Sequence, residues 1–142
     1  MPAADAAPDQ ERAIIAWCLT NPHDFYEVND KLQPEHFSHV RHHRIWEAML
    51  TCSSKGKTPN RKQIGLYIDK RDREEETALP VLLASMIHEL QNSMEGFDFQ
   101  AYVDTVRSLG DRRQIVAALE EAIVRTRAMD VATPIEDVIE ES

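Results

Sequence analysis

The sequence predicts an all-α protein, a compact multi-helix head followed by a protruding helical hairpin. Apolar residues recur at helical spacing along most of the chain. Glycine is scarce, with 4 in 142 residues, and β-branched residues do not alternate with polar ones. Ala, Leu, Glu, Arg and Gln, which favour helices, are plentiful. Since 42% of the residues are apolar, the chain can bury one modest core.

The head is predicted over residues 9–92, after a small-residue, non-periodic stretch at 1–8 that we expect to be a flexible tail. Prolines bound its first helices, because proline cannot continue a helix, whereas Pro80 is tolerable in a first turn. We expect five helices, over about 9–21, 24–28, 39–53, 60–70 and 79–90.

The third helix carries the clearest core-facing stripe. Its residues His42, Ile45, Trp46, Met49 and Leu50 recur at i, i+3, i+4, i+7 and i+8. Phe37 is expected to anchor the start of this helix. We predict that His42, Ile45, Trp46 and Leu82 share the core of the head, with His42 as a core histidine bonded to a carbonyl.

The hairpin is predicted over residues 97–142. Its first arm is a long helix from about Phe97 to Met129, interrupted by Gly110, which costs roughly 1 kcal/mol relative to alanine. We expect a bend or a break there. A short returning helix is predicted to start at Thr133-Pro134, with Ile135 and its apolar neighbours on one side.

Composition also limits the class of function. The net charge of −9 speaks against a surface devoted to nucleic-acid phosphates, so direct nucleic-acid contact is not expected. Residues 55–73 form a basic exception whose role stays open.

Without a membrane-spanning run or a signal peptide, we expect a cytoplasmic protein. Cys18 and Cys52 have no paired spacing and are expected to be free buried thiols.

The letters Gly-Lys-Thr in CSSKGKTPN (residues 52–60) resemble the end of a phosphate-binding loop. That loop needs a glycine five positions before Gly56, where the sequence has Thr51, and a strand before it, where the spacing is helical. We therefore predict no nucleotide site. Gly56 is expected to cap one helix, and Pro59 or Asn60 to open the next.

The cluster HFSHVRHHRIW (residues 36–46) raises the hypothesis of a metal site. His39 and His43 lie four residues apart, with Glu35, His36 and Glu47 nearby. The glutamate that a metalloprotease helix needs after the first histidine is absent. We expect solvated or core histidines, no metal and no cofactor. No nucleophile motif is present, so we expect no catalytic activity.

An interface is predicted on the long helix, because it carries more apolar surface than a short returning arm can cover. The predicted interface residues are Tyr102, Val106, Leu109, Val116, Leu119 and Ile123, with Arg112 and Arg113 at the margin. For the two arginines, a solvated pair and a pair facing a partner's acids are equally good interpretations.

Taken in order, these stretches resemble the N-terminal domain of the bacterial replicative DNA helicase, the DnaB-type hexameric helicase. The matching stretches are APDQERAIIAWCLTNP (7–22), EHFSHVRHHRIWEAM (35–49), KGKTPN (55–60), FQAYVDTVRSLGDRRQIVAAL (99–119) and TPIEDVIEES (133–142). The residues at family-like positions are Phe37, His42, Ile45, Trp46, Tyr102, Val106 and Arg113. In that family KGKTPN resembles a turn that binds no nucleotide.

The resemblance implies a non-catalytic assembly domain. Its copies would pair into dimers, three of which form a ring, and would dock primase or a helicase loader. Two departures bear on assembly: residues 71–80 are charged where a glycine-containing connection is expected, and the returning arm stops at Ser142. Two alternatives stay open, a stand-alone adaptor or primase-type helicase-binding domain and, from another class, a metal-dependent enzyme. The sequence fits either an excised domain or a complete protein.

Overall fold

The structure, a computed structural model, describes residues 6–68 and 79–129. These residues form six α-helices and one 3-10 turn and contain no strand, which confirms the all-α prediction. The helices are α1 (Pro8–Thr20), α2 (Pro22–Val28), α3 (Val40–Ser54), α4 (Arg61–Tyr67), α5 (Leu79–Asn92) and α6 (Phe99–Ala128), and the 3-10 turn is Pro34–His36. No helix in these ranges combines the length and apolar composition that crossing a bilayer requires.

Helix α1 is the centre of the fold. It packs against α2, α3, α5 and α6. Its residues Ile14, Ile15 and Cys18 have no exposed surface. A helix surrounded by four others is buried on more than one side, which explains why its apolar residues are spread more widely than a single narrow stripe.

Trp46 of α3 lies in the core beside two aromatic rings. Its ring centroid is 5.2 Å from that of Phe25 and 5.0 Å from that of Phe37, and its Nε1 donates to the carbonyl oxygen of Leu32 at 2.8 Å. Phe37 therefore anchors the entry to α3, as predicted. The shared core is confirmed for His42, Ile45 and Trp46, whereas Leu82 is half-buried against it.

The turn after α3 has the geometry of a helix terminator. Gly56 has a φ of +72°, a conformation that side chains with a Cβ rarely adopt. Its N–H donates to the carbonyl of Ser53, and the N–H of Lys57 donates to that of Cys52, which is the Schellman pattern. Asn60 then caps α4 by accepting from the N–H of Gln63 at 2.9 Å. The glycine of KGKTPN thus ends a helix.

Several predicted boundaries change. Helix α1 begins at Pro8, inside the predicted tail, and α4 ends at Tyr67 because Ile68 is extended, with a ψ of 147°. The predicted end of α4 at Lys70, the charged segment 71–78 and the returning helix from Thr133 lie outside the described residues.

The expected break at Gly110 is wrong, because α6 runs through this residue as one helix of 30 residues, about 45 Å long at 1.5 Å per residue. The glycine is needed for packing. A Cβ at this position would lie 2.6 Å from the Cα of His36, closer than two carbon atoms can approach without displacing the backbone.

Candidate assembly surface on the long helix

The first half of α6 belongs to the core of the head. Val103 and Val106 are each only 1% exposed and lie in the same apolar cluster as the residues of α1 and α3. Tyr102 is half-buried, with its ring edge-on to Phe97 at 5.0 Å between centroids. Asp98 caps the helix by accepting from the N–H of Ala101 at 3.1 Å.

The second half of α6 is exposed and apolar. Ile115 is 62% exposed, Val116 41%, Leu119 59% and Ile123 50%. These four residues lie at i, i+1, i+4 and i+8, so they share one side of the helix. We call them the apolar stripe. Single exposed apolar residues are ordinary, but a contiguous set of four over more than two turns is typical of an interaction surface.

The apolar stripe faces a different direction from the buried part of the same helix. Val106 and Leu119 are 13 residues apart, which at 3.6 residues per turn places them about 140° apart around the helix axis. Val124, 64% exposed, lies about 140° from Leu119 and at least about 80° from every residue of the stripe. It is 18 residues after Val106 and so on the same side of the helix as that residue, outside the stripe. The side that packs on the head and the apolar stripe are therefore distinct surfaces.

Some of the eight residues predicted to form the interface lie on the side of α6 that packs on the head, and others lie on its exposed side. Val106 is buried in the head, and Tyr102 and Leu109 are half-buried beside it. The exposed members are Arg112, Val116, Leu119 and Ile123. Only the second half of the predicted face is thus open to another chain. Ile115, which was not among the predicted residues, belongs to this exposed half.

Arg113 is engaged by its own chain. Its Nη2 donates to the carbonyl oxygen of His36 at 2.8 Å, and the neighbouring Asp111 carboxylate lies 2.9 Å from the Nε2 of His36. The Nδ1 of His36 accepts from the N–H of Gln33 at 2.9 Å. That bond leaves the ring proton on Nε2, which donates to Asp111. Arg113 therefore holds the 3-10 turn, an intramolecular role that neither earlier interpretation included.

A buried carboxylate joins α1 to the start of α3. Glu11 is 1% exposed and accepts from the Ser38 hydroxyl at 2.6 Å, the Ser38 N–H at 2.9 Å and the His42 Nδ1 at 2.9 Å. Burial raises the pKa of Glu11, but the hydrogen bonds from His42, Ser38 and His39 outweigh it, so the net pKa lies below its ordinary value of 4.5. His42 is buried as predicted, but its partner is this carboxylate rather than a carbonyl.

Glu11 was not among the residues predicted from the sequence, although a signal was present. Glu11 lies three, four and seven residues before Ile14, Ile15 and Cys18, which places it on the same side of α1 as the buried residues. A carboxylate on an apolar side needs partners, and the polar Ser38 and His42 flank the start of the next core helix.

A concave surface lies elsewhere on the head. A groove of about 350 Å³ runs between α1, α5 and the start of α6. Its lining includes Ala13, Met86, Leu90, Phe97 and Tyr102. At one side Arg12 and Glu89 form a two-pronged ion pair with nitrogen–oxygen distances of 2.9–3.0 Å, which ties α1 to α5.

The histidines proposed as metal ligands are dispersed. His39 accepts from the N–H of Arg41 at 3.1 Å as the cap of α3, and His43 lies 3.8 Å from Glu47. His36 turns toward Asp111 on α6. Within residues 6–68 and 79–129, no three His, Cys, Asp or Glu side chains are grouped to hold a metal ion.

Two comparisons with known proteins find a similarity to the same kind of domain. A family model described as "DnaB-like helicase N terminal domain" matches residues 4–108. The structure is similar to the crystal structure of the N-terminal domain of DnaB helicase from Mycobacterium tuberculosis, with a TM-score of 0.76 and 15% sequence identity, over 96% of this chain and 92% of that chain. A comparison with curated protein sequences finds no match. At 15% identity the structural likeness shows the fold.

Proposed function

The chain belongs to the family of DnaB-like helicase N-terminal domains, and from this premise we propose that it is a non-catalytic assembly and partner-docking domain of a replicative DNA helicase, acting in DNA replication. Its role is to bring copies of the chain together and to bind a primase or a helicase loader. The observation that carries the assembly role is the exposed apolar stripe on the second half of α6.

A second copy of the chain is the occupant that we assign to the apolar stripe. Two helices that meet through the same stripe can cover each other, because a two-fold axis places the same residues on both sides of the contact. The stripe contains Val116, Leu119 and Ile123 at i, i+3 and i+7, the spacing with which helices interdigitate along a shallow crossing angle. Arg112, one turn earlier and exposed, lies at the margin of this contact.

Docking of a primase or a loader rests on the family membership. The groove between α1, α5 and α6 is a second candidate surface for that role, since it combines apolar and aromatic lining with a charged edge. It lies on the head, away from the apolar stripe. A pair of copies joined through α6 would therefore leave the groove accessible.

We predict that Val116→Glu weakens self-association by at least about 100-fold, because a carboxylate placed in an apolar contact loses its hydration without gaining a partner. Val124→Glu is the matched control: it makes the same change on the same helix, outside the stripe. Sedimentation over a dilution series up to near-millimolar concentration measures the association of wild type and both variants.

The expected result is a concentration-dependent dimer or larger oligomer for wild type and Val124→Glu, and a monomer for Val116→Glu. Equal association of the two variants would remove the stripe from the interface. A wild-type chain that stays monomeric throughout the series would favour an adaptor or a primase-type helicase-binding domain, which uses this surface for a different chain.

A further inference from the structure

Gly110 lies inside α6 at the point where the helix leaves the head. Before it, Val103 and Val106 are buried in the head; after Arg113, residues 114–121 are all exposed. Glycine has no side chain to restrict its backbone and is a poor helix former, so a helix bends more readily at such a position than at its neighbours. The helix nevertheless runs through it without interruption.

The 3-10 turn at Pro34–His36 holds the helix on the far side of this glycine. The two residues of α6 that bond to His36 are Asp111 and Arg113, and both follow Gly110. His36 itself is fixed by the bond from the Gln33 N–H to its Nδ1 and has a side chain only 9% exposed. Gly110 therefore lies between the part of α6 that is buried in the head core and the part that is held by two hydrogen bonds.

The same glycine makes the contact possible. A Cβ at residue 110 would lie 2.6 Å from the Cα of His36, 2.8 Å from its Cδ2 and 3.0 Å from its Cβ. The backbone of the 3-10 turn can approach the helix this closely only because the side chain is a hydrogen atom. The two hydrogen bonds from α6 to the 3-10 turn thus depend on a glycine at position 110.

We propose that Gly110 is a hinge of the long helix and that His36, Asp111 and Arg113 form a clamp that keeps it straight. The clamp sets the direction in which the second half of α6 leaves the head. Breaking it lets that half swing while the first half stays in the core. The hinge is a property of the single chain; only its consequence, a change in the angle between paired heads, rests on the proposed function.

The test measures distances between paired spin labels within one chain, diluted with excess unlabelled chain. Asp104→Cys with Arg125→Cys spans the hinge over about 32 Å of helix, and Ser85→Cys with Asp104→Cys reports the head and the first half of α6. All three positions are exposed. Cys18 and Cys52 stay unlabelled, because both are fully buried and burial raises the pKa of each thiol.

In Asp111→Ala with Arg113→Ala, which removes both hydrogen bonds between α6 and the 3-10 turn, we expect the 104–125 distribution to broaden roughly twofold and to shift to shorter distances, as a helix bends about an unclamped glycine. Asp111→Ala, a change at a half-exposed side chain that should not affect folding, is expected to broaden it less. The 85–104 distribution stays as in wild type. In Asp111→Ala with Arg113→Ala and Gly110→Ala, the 104–125 distribution becomes narrow again, because alanine stiffens the helix and the 3-10 turn, no longer bonded to α6, can move away from the added Cβ.

Two outcomes would overturn the hinge. One is a 104–125 distribution in Asp111→Ala with Arg113→Ala as narrow as in wild type. The other is broadening that Gly110→Ala does not reverse, which would place the motion elsewhere. Neither outcome depends on self-association, so the hinge and the assembly role are tested separately.

Discussion

Replacing Trp46 by alanine is expected to lower the free energy of unfolding by about 3–5 kcal/mol. The side chain has no exposed surface and lies beside the rings of Phe25 and Phe37. Its removal leaves a cavity that rigid aromatic neighbours fill poorly. It also leaves the carbonyl of Leu32 without the indole N–H that it accepts at 2.8 Å. Chemical denaturation followed by circular dichroism measures the loss.

Trp17 provides the control for this substitution. It is half-buried, with its ring centroid 5.2 Å from that of Phe97 and its Nε1 bonded to Asp24 at 2.7 Å. Trp17→Ala should therefore cost clearly less than Trp46→Ala, since part of its side chain is already in water. A loss below about 1 kcal/mol at Trp46, typical of a surface position, would show that the core is assigned incorrectly.

Glu11→Ala is expected to destabilise the chain by a similar amount, about 3–5 kcal/mol, because it removes one partner of a buried polar cluster and leaves the others unsatisfied. The groups that lose their acceptor are the N–H and hydroxyl of Ser38, the N–H of His39 and the Nδ1–H of His42. The effect is measured by chemical denaturation at neutral pH.

The pH dependence of Glu11→Gln tests the charge of this site. Because the folded-state pKa of Glu11 is below its ordinary value of 4.5, the carboxylate stabilises the fold fully above that value. The stabilisation is lost as the pH falls through the folded-state pKa. The stability difference between wild type and Glu11→Gln should therefore shrink from pH 6 to pH 3. A constant difference over this range would mean that the ionised carboxylate contributes nothing.

Much of the head could be predicted from the sequence, because its helices and turns are specified by residues that lie close together along the chain. The stripe containing Ile45 and Trp46 fixes both the helix and its buried side. Gly56 and Asn60 mark the end of α3 and the start of α4, since a left-handed terminator and a side-chain cap depend on single residue types. The same local signals predicted a helix-ending turn at KGKTPN, and the structure has one there.

The candidate surface was predicted only in part, because it depends on contacts between distant residues. Apolar spacing along α6 does not show that Val106 faces the head while Leu119, about 140° around the helix, faces away. Gly110 was interpreted from its intrinsic helix propensity, whereas its role is set by the approach of His36, 74 residues earlier in the sequence. Arg113 was considered only as a solvated or partner-facing residue for the same reason.

The most direct test of the assembly role is the reactivity of a cysteine placed on the apolar stripe, measured as a function of protein concentration. Leu119→Cys should react rapidly with a thiol reagent in dilute solution and become protected in proportion to the associated fraction as the concentration rises. Val124→Cys, outside the stripe, should react at one rate throughout. If Cys at position 119 reacts equally fast at all concentrations while the protein associates, the stripe is not the surface through which copies of this chain assemble.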